Sequence, residues 1–118
     1  MKKLMFVVLA VCLAASLAYA APVKMTGTII DHACASGHAK DIATFIKTHP
    51  KSCALMPACV ESGYSIYSNG KLTMFNAAGK SNKKIVEFLK MKDSKLTVDV
   101  TVDQVGDKLD LLSIKNSK

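Results

Sequence analysis

A strictly alternating run near the carboxyl end constrains the fold more than any other feature. Its apolar side chains are Leu96, Val98, Val100 and Val102, and its polar ones are Thr97, Asp99, Thr101 and Asp103. Alternation with a period of two is typical of a β-strand that buries one face and exposes the other. The chain is therefore expected to contain a sheet with one face in a core.

Other segments carry strand signals too. The five predicted strands span residues 23–30, 64–68, 71–76, 96–103 and 109–115. Gly27 inside the first predicts a bend or a bulge. The pair Asn69-Gly70 predicts a two-residue hairpin turn between the second and third, because both residues tolerate positive φ. Gly106 and Asp107 predict the turn that joins the last two.

Two segments have helical periodicity. Apolar residues recur at helical spacing over 38–48, and Pro50 ends that helix. A second helix is expected from Ser81 or Asn82 to about Met91, with an apolar face and a lysine-rich face. The predicted class is mostly β: an OB-fold-like barrel of five strands, with a helix between strands 3 and 4 and a helical Cys/His insertion between strands 1 and 2. An open α+β sheet with one packed helix is the alternative.

The amino-terminal residues predict an export signal. Residues 1–3 form a short basic start, residues 4–17 are apolar, and Ala18-Tyr19-Ala20 fits a signal-peptidase site. We expect a signal peptide over 1–20 and a single OB-like domain over 21–118, exported to a periplasm or secreted. The apolar run is too short to span a membrane comfortably, so no stable membrane insertion is expected after cleavage.

Charge bears on the partners. The chain has a formal net charge of +7, and all 16 basic residues are Lys. Without Arg, bidentate recognition of phosphates or bases is not expected. Tyr64, Tyr67 and Phe75 could stack on bases, but such residues are more often core, and nucleic acid is not a predicted partner. The predicted partner is an unknown protein or an anionic surface.

The sulfur and imidazole side chains are crowded into one segment. Every Cys and His after the signal peptide lies between positions 31 and 59: His32, Cys34, His38, His49, Cys53 and Cys59. Thiolate and imidazole ligands suit Zn²⁺, or copper where Met56 assists. The predicted metal ligands are Cys34, His38, His49, Cys53 and Cys59. Their spacing matches no standard zinc motif and no c-type haem site.

Two other interpretations of the same segment stay open. In an oxidising compartment two of Cys34, Cys53 and Cys59 would form a disulfide and leave one thiol spare, and the sequence does not choose the pair. Alternatively, His32 or His38 could lower the pKa of Cys34 and make it a reactive thiol. No orienting third group or oxyanion hole is evident in the sequence.

The chain also resembles a group of small exported bacterial proteins of unknown function. The resemblance lies in 26–31, in Cys34 and His38, in 52–60 with its Ser-Cys-Ala-Leu-Met-Pro-x-Cys pattern, and in 62–64, 70–72, 75–79, the Val-rich strand and Gly106-Asp107. It implies a signal peptide and a small β-rich domain, and it implies no activity.

These observations favour a non-enzymatic binding module over an enzyme, without deciding the question. The leading hypothesis is a small exported module that binds a transition metal, Zn or Cu, through the Cys/His cluster. A disulfide-stapled interaction domain without metal is the alternative, and a thiol-redox protein is third.

Overall fold

The computed structural model describes residues 21–118, so the predicted signal peptide lies outside the described residues. In that part of the chain the strands are β1 (Val23–Asp31), β2 (Tyr64–Ser68), β3 (Lys71–Met74), β4 (Thr97–Val105) and β5 (Lys108–Asn116). The helices are α1 (His32–Gly37), α2 (Ile42–Phe45), α3 (Lys51–Ala54), α4 (Pro57–Ser62) and α5 (Ser81–Leu89). No helix within residues 21–118 combines the length and the hydrophobicity needed to cross a membrane.

The strands form one sheet in the order β3-β2-β1-β4-β5, and neighbouring strands are antiparallel. The mostly β class and the predicted order of five strands and the helix between strands 3 and 4 are confirmed. The sheet curves, so that Phe75 after β3 makes a parallel bridge to Leu109 of β5. In the described residues this bridge lies between the two ends of the sheet, and the sheet is not closed into the predicted barrel.

The core lies on one face of the sheet, where the alternation places it. Val98, Val100 and Val102 of β4 are at most 2% exposed. Helix α5 covers this face with three apolar side chains, Ile85, Phe88 and Leu89. The helix is also tied to β5 by hydrogen bonds, because Lys84 Nζ donates to the Leu111 carbonyl and Ser81 Oγ accepts from the Leu111 N–H. The predicted inward face of this helix is therefore confirmed.

Gly70 and Gly27 occupy positions that a side chain would disturb. Asn69 and Gly70 have φ values of 52° and 75°, as the predicted hairpin turn requires. Gly27 lies close to β2, since a Cβ there would sit 2.5 Å from the Tyr67 carbonyl oxygen. Only a residue without a side chain allows this approach.

The helix predicted over 38–48 is wrong in its extent. Only Ile42–Phe45 is helical there, and the unpredicted helix α1 precedes it. Helix α1 is made of small residues without amphipathic spacing, so periodicity gave no signal for it. Its start depends on the Asp31 side chain, which caps it. The Cys/His insertion between β1 and β2 is confirmed as helical, but it consists of four short helices.

Candidate functional site

The site begins at Asp31, where β1 ends and α1 starts. Asp31 pairs with Tyr64 in the sheet and lies on the same face of β1 as Ile29, which turns its side chain toward the core. It is fully buried. Its Oδ2 accepts a hydrogen bond of 2.9 Å from the Cys34 N–H and so caps α1. One carboxylate oxygen therefore has a structural task, and the other faces the interior of the site.

Helices α1 and α4 bring two cysteines to this carboxylate. Cys34 lies on α1 and Cys59 on α4, and backbone groups of α1 bond to the end of α4. The His32 N–H donates to the Gly63 carbonyl at 2.8 Å, and the Ala33 N–H donates to Ser62 Oγ at 3.1 Å. As a result, an Asp31 carboxylate oxygen, Cys34 Sγ and Cys59 Sγ all lie within 4.8 Å of one another. This Asp31–Cys34–Cys59 group could hold a metal ion.

His49 lies beside the group. It is 7% exposed, and its Nε2 lies 3.2 Å from Asp31 Oδ1 without the alignment of a hydrogen bond. Among the described residues, Asp31 Oδ1 and both ring nitrogens of His49 have no hydrogen-bond partner. Buried polar atoms are paired in most proteins, because an unpaired one costs about 1–3 kcal/mol. Two of these atoms, Asp31 Oδ1 and His49 Nε2, face each other, and His49 Nδ1 is left without a partner among the described residues.

Burial controls the electrostatics of the two thiols. Burial first, and then the Asp31 carboxylate, raises the pKa of Cys34 from 9.0 to about 12. The pKa of Cys59 is raised by the same two causes in the same order. Burial also raises the pKa of Tyr64 to about 12. Both thiols are thus protonated at neutral pH in the metal-free protein, which is the opposite of what a nucleophilic cysteine requires.

The structure distributes the five predicted ligands unevenly. Cys34 and Cys59 are brought together, and His49 lies 3.2 Å from the Asp31 carboxylate. Cys53 is partly buried and close enough to influence the pKa of Cys59, but it lies outside the group. His38 points elsewhere: its ring stacks on Phe45 at 3.7 Å, and its Nδ1 lies 3.3 Å from the Asp41 carboxylate.

One residue of the group was missed by sequence reasoning. Asp31 is not among the predicted ligands, and the structure shows that it ends β1, caps α1 and is also a candidate ligand. A signal was present, because Asp31 continues the inward register of Ile29 and is therefore a charged residue on a buried face. The three cysteines of the described residues are free, and none is bonded to another.

Comparisons with models of protein families, with curated proteins and with solved structures found no match for the chain. The chemistry of the Asp31–Cys34–Cys59 group is therefore the basis for assigning a function.

Proposed function

We propose that this protein is a small binding module for a transition-metal ion, held by Asp31, Cys34 and Cys59. The observation that carries the proposal is the convergence of one carboxylate oxygen and two sulfur atoms within 4.8 Å, next to buried polar atoms without partners. A buried carboxylate that meets no fixed positive charge is costly. A bound cation would remove that cost and give Asp31 Oδ1 a partner.

The donor set favours zinc over copper. Thiolate is a soft ligand and carboxylate a hard one, and Zn²⁺ accepts both, whereas Cu(I) selects thiolates and thioethers. Met56, the thioether that could assist copper, is 54% exposed. Three protein ligands leave one tetrahedral position open, which is the arrangement of exchangeable and catalytic zinc sites rather than of closed structural ones.

His49 would support the site through Asp31. Carboxylates that bind metals are themselves oriented by outer hydrogen-bonding groups, and losing such a group costs about 10–100-fold in affinity. The His49 Nε2 lies 3.2 Å from Asp31 Oδ1, and both residues are buried. His49 is therefore proposed as the residue that orients Asp31.

Zinc binding to the reduced protein tests the proposal. We expect one Zn²⁺ per chain in equilibrium dialysis followed by elemental analysis. Because both thiols are protonated before binding, we also expect about two protons to be released per ion, measured by titration in a weak buffer. Cys34→Ser and Cys59→Ser are expected to abolish binding, and His49→Ala to weaken it.

Two variants serve as matched controls. Cys53→Ser removes a cysteine of the same segment that lies outside the group, and His38→Ala removes an imidazole that stacks on Phe45 instead. Both are expected to bind one Zn²⁺ with unchanged affinity. Loss of zinc in Cys53→Ser or His38→Ala, together with retention in a folded Cys34→Ser protein, would show that the ion is held elsewhere. Circular dichroism identifies variants that fail to fold. If a cysteine variant fails to fold, Asp31→Asn is used in its place, and it is expected to weaken zinc binding.

The finer description of the fold is also a proposal. An OB-like arrangement is supported by the strand order and by the parallel Phe75–Leu109 bridge, where the two edge strands approach. A nuclear Overhauser contact between the backbones of Phe75 and Leu109 is expected in solution, and its absence would show an open sheet.

Export of the domain is supported by the sequence of residues 1–20, and detection of chains that begin at Ala21 tests it.

A further inference from the structure

We infer that Cys34 and Cys59 are a disulfide-forming pair, so that a disulfide and a metal ion compete for the same two sulfur atoms. The competition rests on the proposed function, whereas the pairing rests on geometry alone. Sequence reasoning left all three pairings of Cys34, Cys53 and Cys59 open. The structure distinguishes between them.

The geometry selects one pair. The sulfur atoms of Cys34 and Cys59 lie within 4.8 Å of each other, and each thiol affects the pKa of the other. They belong to α1 and α4, which pack together and are tied by hydrogen bonds at the end of α4. The proposed bond requires the two side chains to turn until the sulfur atoms reach bonding distance. Cys53 lies on α3, outside this group.

The reaction is a thiol–disulfide exchange with a small disulfide as the oxidant. The Cys34 sulfur is the more exposed of the two, since Cys59 is buried. The small fraction of Cys34 that has lost its proton attacks the oxidant, forms a mixed disulfide and releases one small thiol, which takes up the proton, so the step is slow at neutral pH. The Cys59 sulfur then loses its proton, attacks Cys34 Sγ and releases the second small thiol. One S–S bond is broken and one formed, and the two protons leave on the two small thiols.

The product would no longer bind the ion. A disulfide sulfur carries no thiolate charge, and thiolate is the form that binds metals. Oxidation would therefore remove two of the three proposed ligands and leave Asp31 alone. The same arrangement in the reduced state presents both sulfur atoms to zinc. The redox state of this pair would decide which of the two products forms.

The test uses the chain from Ala21 to Lys118, treated with glutathione disulfide and then mapped by mass spectrometry. Cleavage after lysine places Cys34 in the peptide 25–40 and leaves Cys53 and Cys59 together in 52–71. The Cys53→Ser variant is therefore needed to assign the bond. We expect the two peptides to be cross-linked in the wild type and in Cys53→Ser, and not in Cys59→Ser.

A bond contained within 52–71, or a cross-link that survives in Cys59→Ser and is lost in Cys53→Ser, would overturn the pairing. Glutathione adducts on separate cysteines without any cross-link would also overturn it. If the pairing holds, oxidised Cys53→Ser is expected to bind Zn²⁺ at least about a hundredfold more weakly than reduced Cys53→Ser. Equal affinities would overturn the competition. A cross-link in a protein whose reduced form binds no zinc would uphold the pairing and refute the proposed function.

Discussion

Replacing Asp31 with asparagine separates the charge of the site from its shape. Asparagine caps a helix as well as aspartate does, so the 2.9 Å contact from the Cys34 N–H can be kept and α1 should still form. The substitution removes the negative charge that faces the two thiols. We expect a folded protein with more reactive thiols and weaker zinc binding.

The size of the effect follows from the pKa of Cys34. At a pH of 9.0, which equals the ordinary pKa of the thiol, a Cys34 with a pKa of about 12 is ionised in about one molecule in a thousand. Burial is the larger cause of the shift and remains in Asp31→Asn, so the pKa should fall without returning to 9.0. Each unit of decrease raises the thiolate fraction about tenfold, and the alkylation rate at about pH 8 rises nearly as much.

The assay is the rate at which iodoacetamide modifies the peptide 25–40, which contains Cys34 as its only cysteine. Asp41→Asn is the matched control, because it removes an equal charge that pairs with His38 at the surface. We expect the control to change the rate by less than about twofold, since salt screens exposed charges. If Asp31→Asn folds and its Cys34 reacts no faster than in the wild type, the Asp31 carboxylate does not control this thiol and the reasoning is refuted.

Three further predictions concern stability. Tyr64→Phe removes a buried 2.7 Å hydrogen bond to the Ala54 carbonyl and should lower the unfolding free energy by about 1–3 kcal/mol, measured in urea; an unchanged midpoint would contradict the contact. Gly27→Ala should destabilise the protein by at least about 1 kcal/mol because its Cβ meets β2, whereas Gly37→Ala, with open space around it, should not; equal midpoints would contradict the close approach. Raising the pH above about 9 should also reduce stability. The pKa values of Cys34 and Tyr64 are raised from 9.0 and 10.0 to about 12, so their contribution is complete below the ordinary values and is lost as pH rises through 12. A flat pH profile over that range would contradict the burial of these groups.

Much of the sheet could be predicted because its signals are local. The alternation of 96–103 describes a strand that buries one face wherever it lies, and β4 does so. Asn69-Gly70 identifies a hairpin turn locally, because Asn and Gly are among the few residues that readily adopt positive φ. The apolar stripe of α5 likewise identifies the face that packs on the sheet. Each of these elements is determined by neighbours within a few positions.

The closure of the sheet could not be predicted in the same way. Whether two edge strands join depends on the twist accumulated over all five strands. Periodicity contains no information about that sum. The helix expected over 38–48 was wrong in its extent, because the chain there forms turns on both sides of the short helix Ile42–Phe45 and buries none of that helix's residues.

For the site, the sequence by itself determined the inventory of soft ligands: three cysteines and three histidines between positions 31 and 59. Only the tertiary structure decided that Asp31, Cys34 and Cys59 converge, that His49 lies beside them, and that His38 stacks on Phe45. The physical reason is the packing of α1 against α4. Positions 34 and 59 are far apart along the chain, and their distance in space is set by which helix faces meet, which no local pattern encodes.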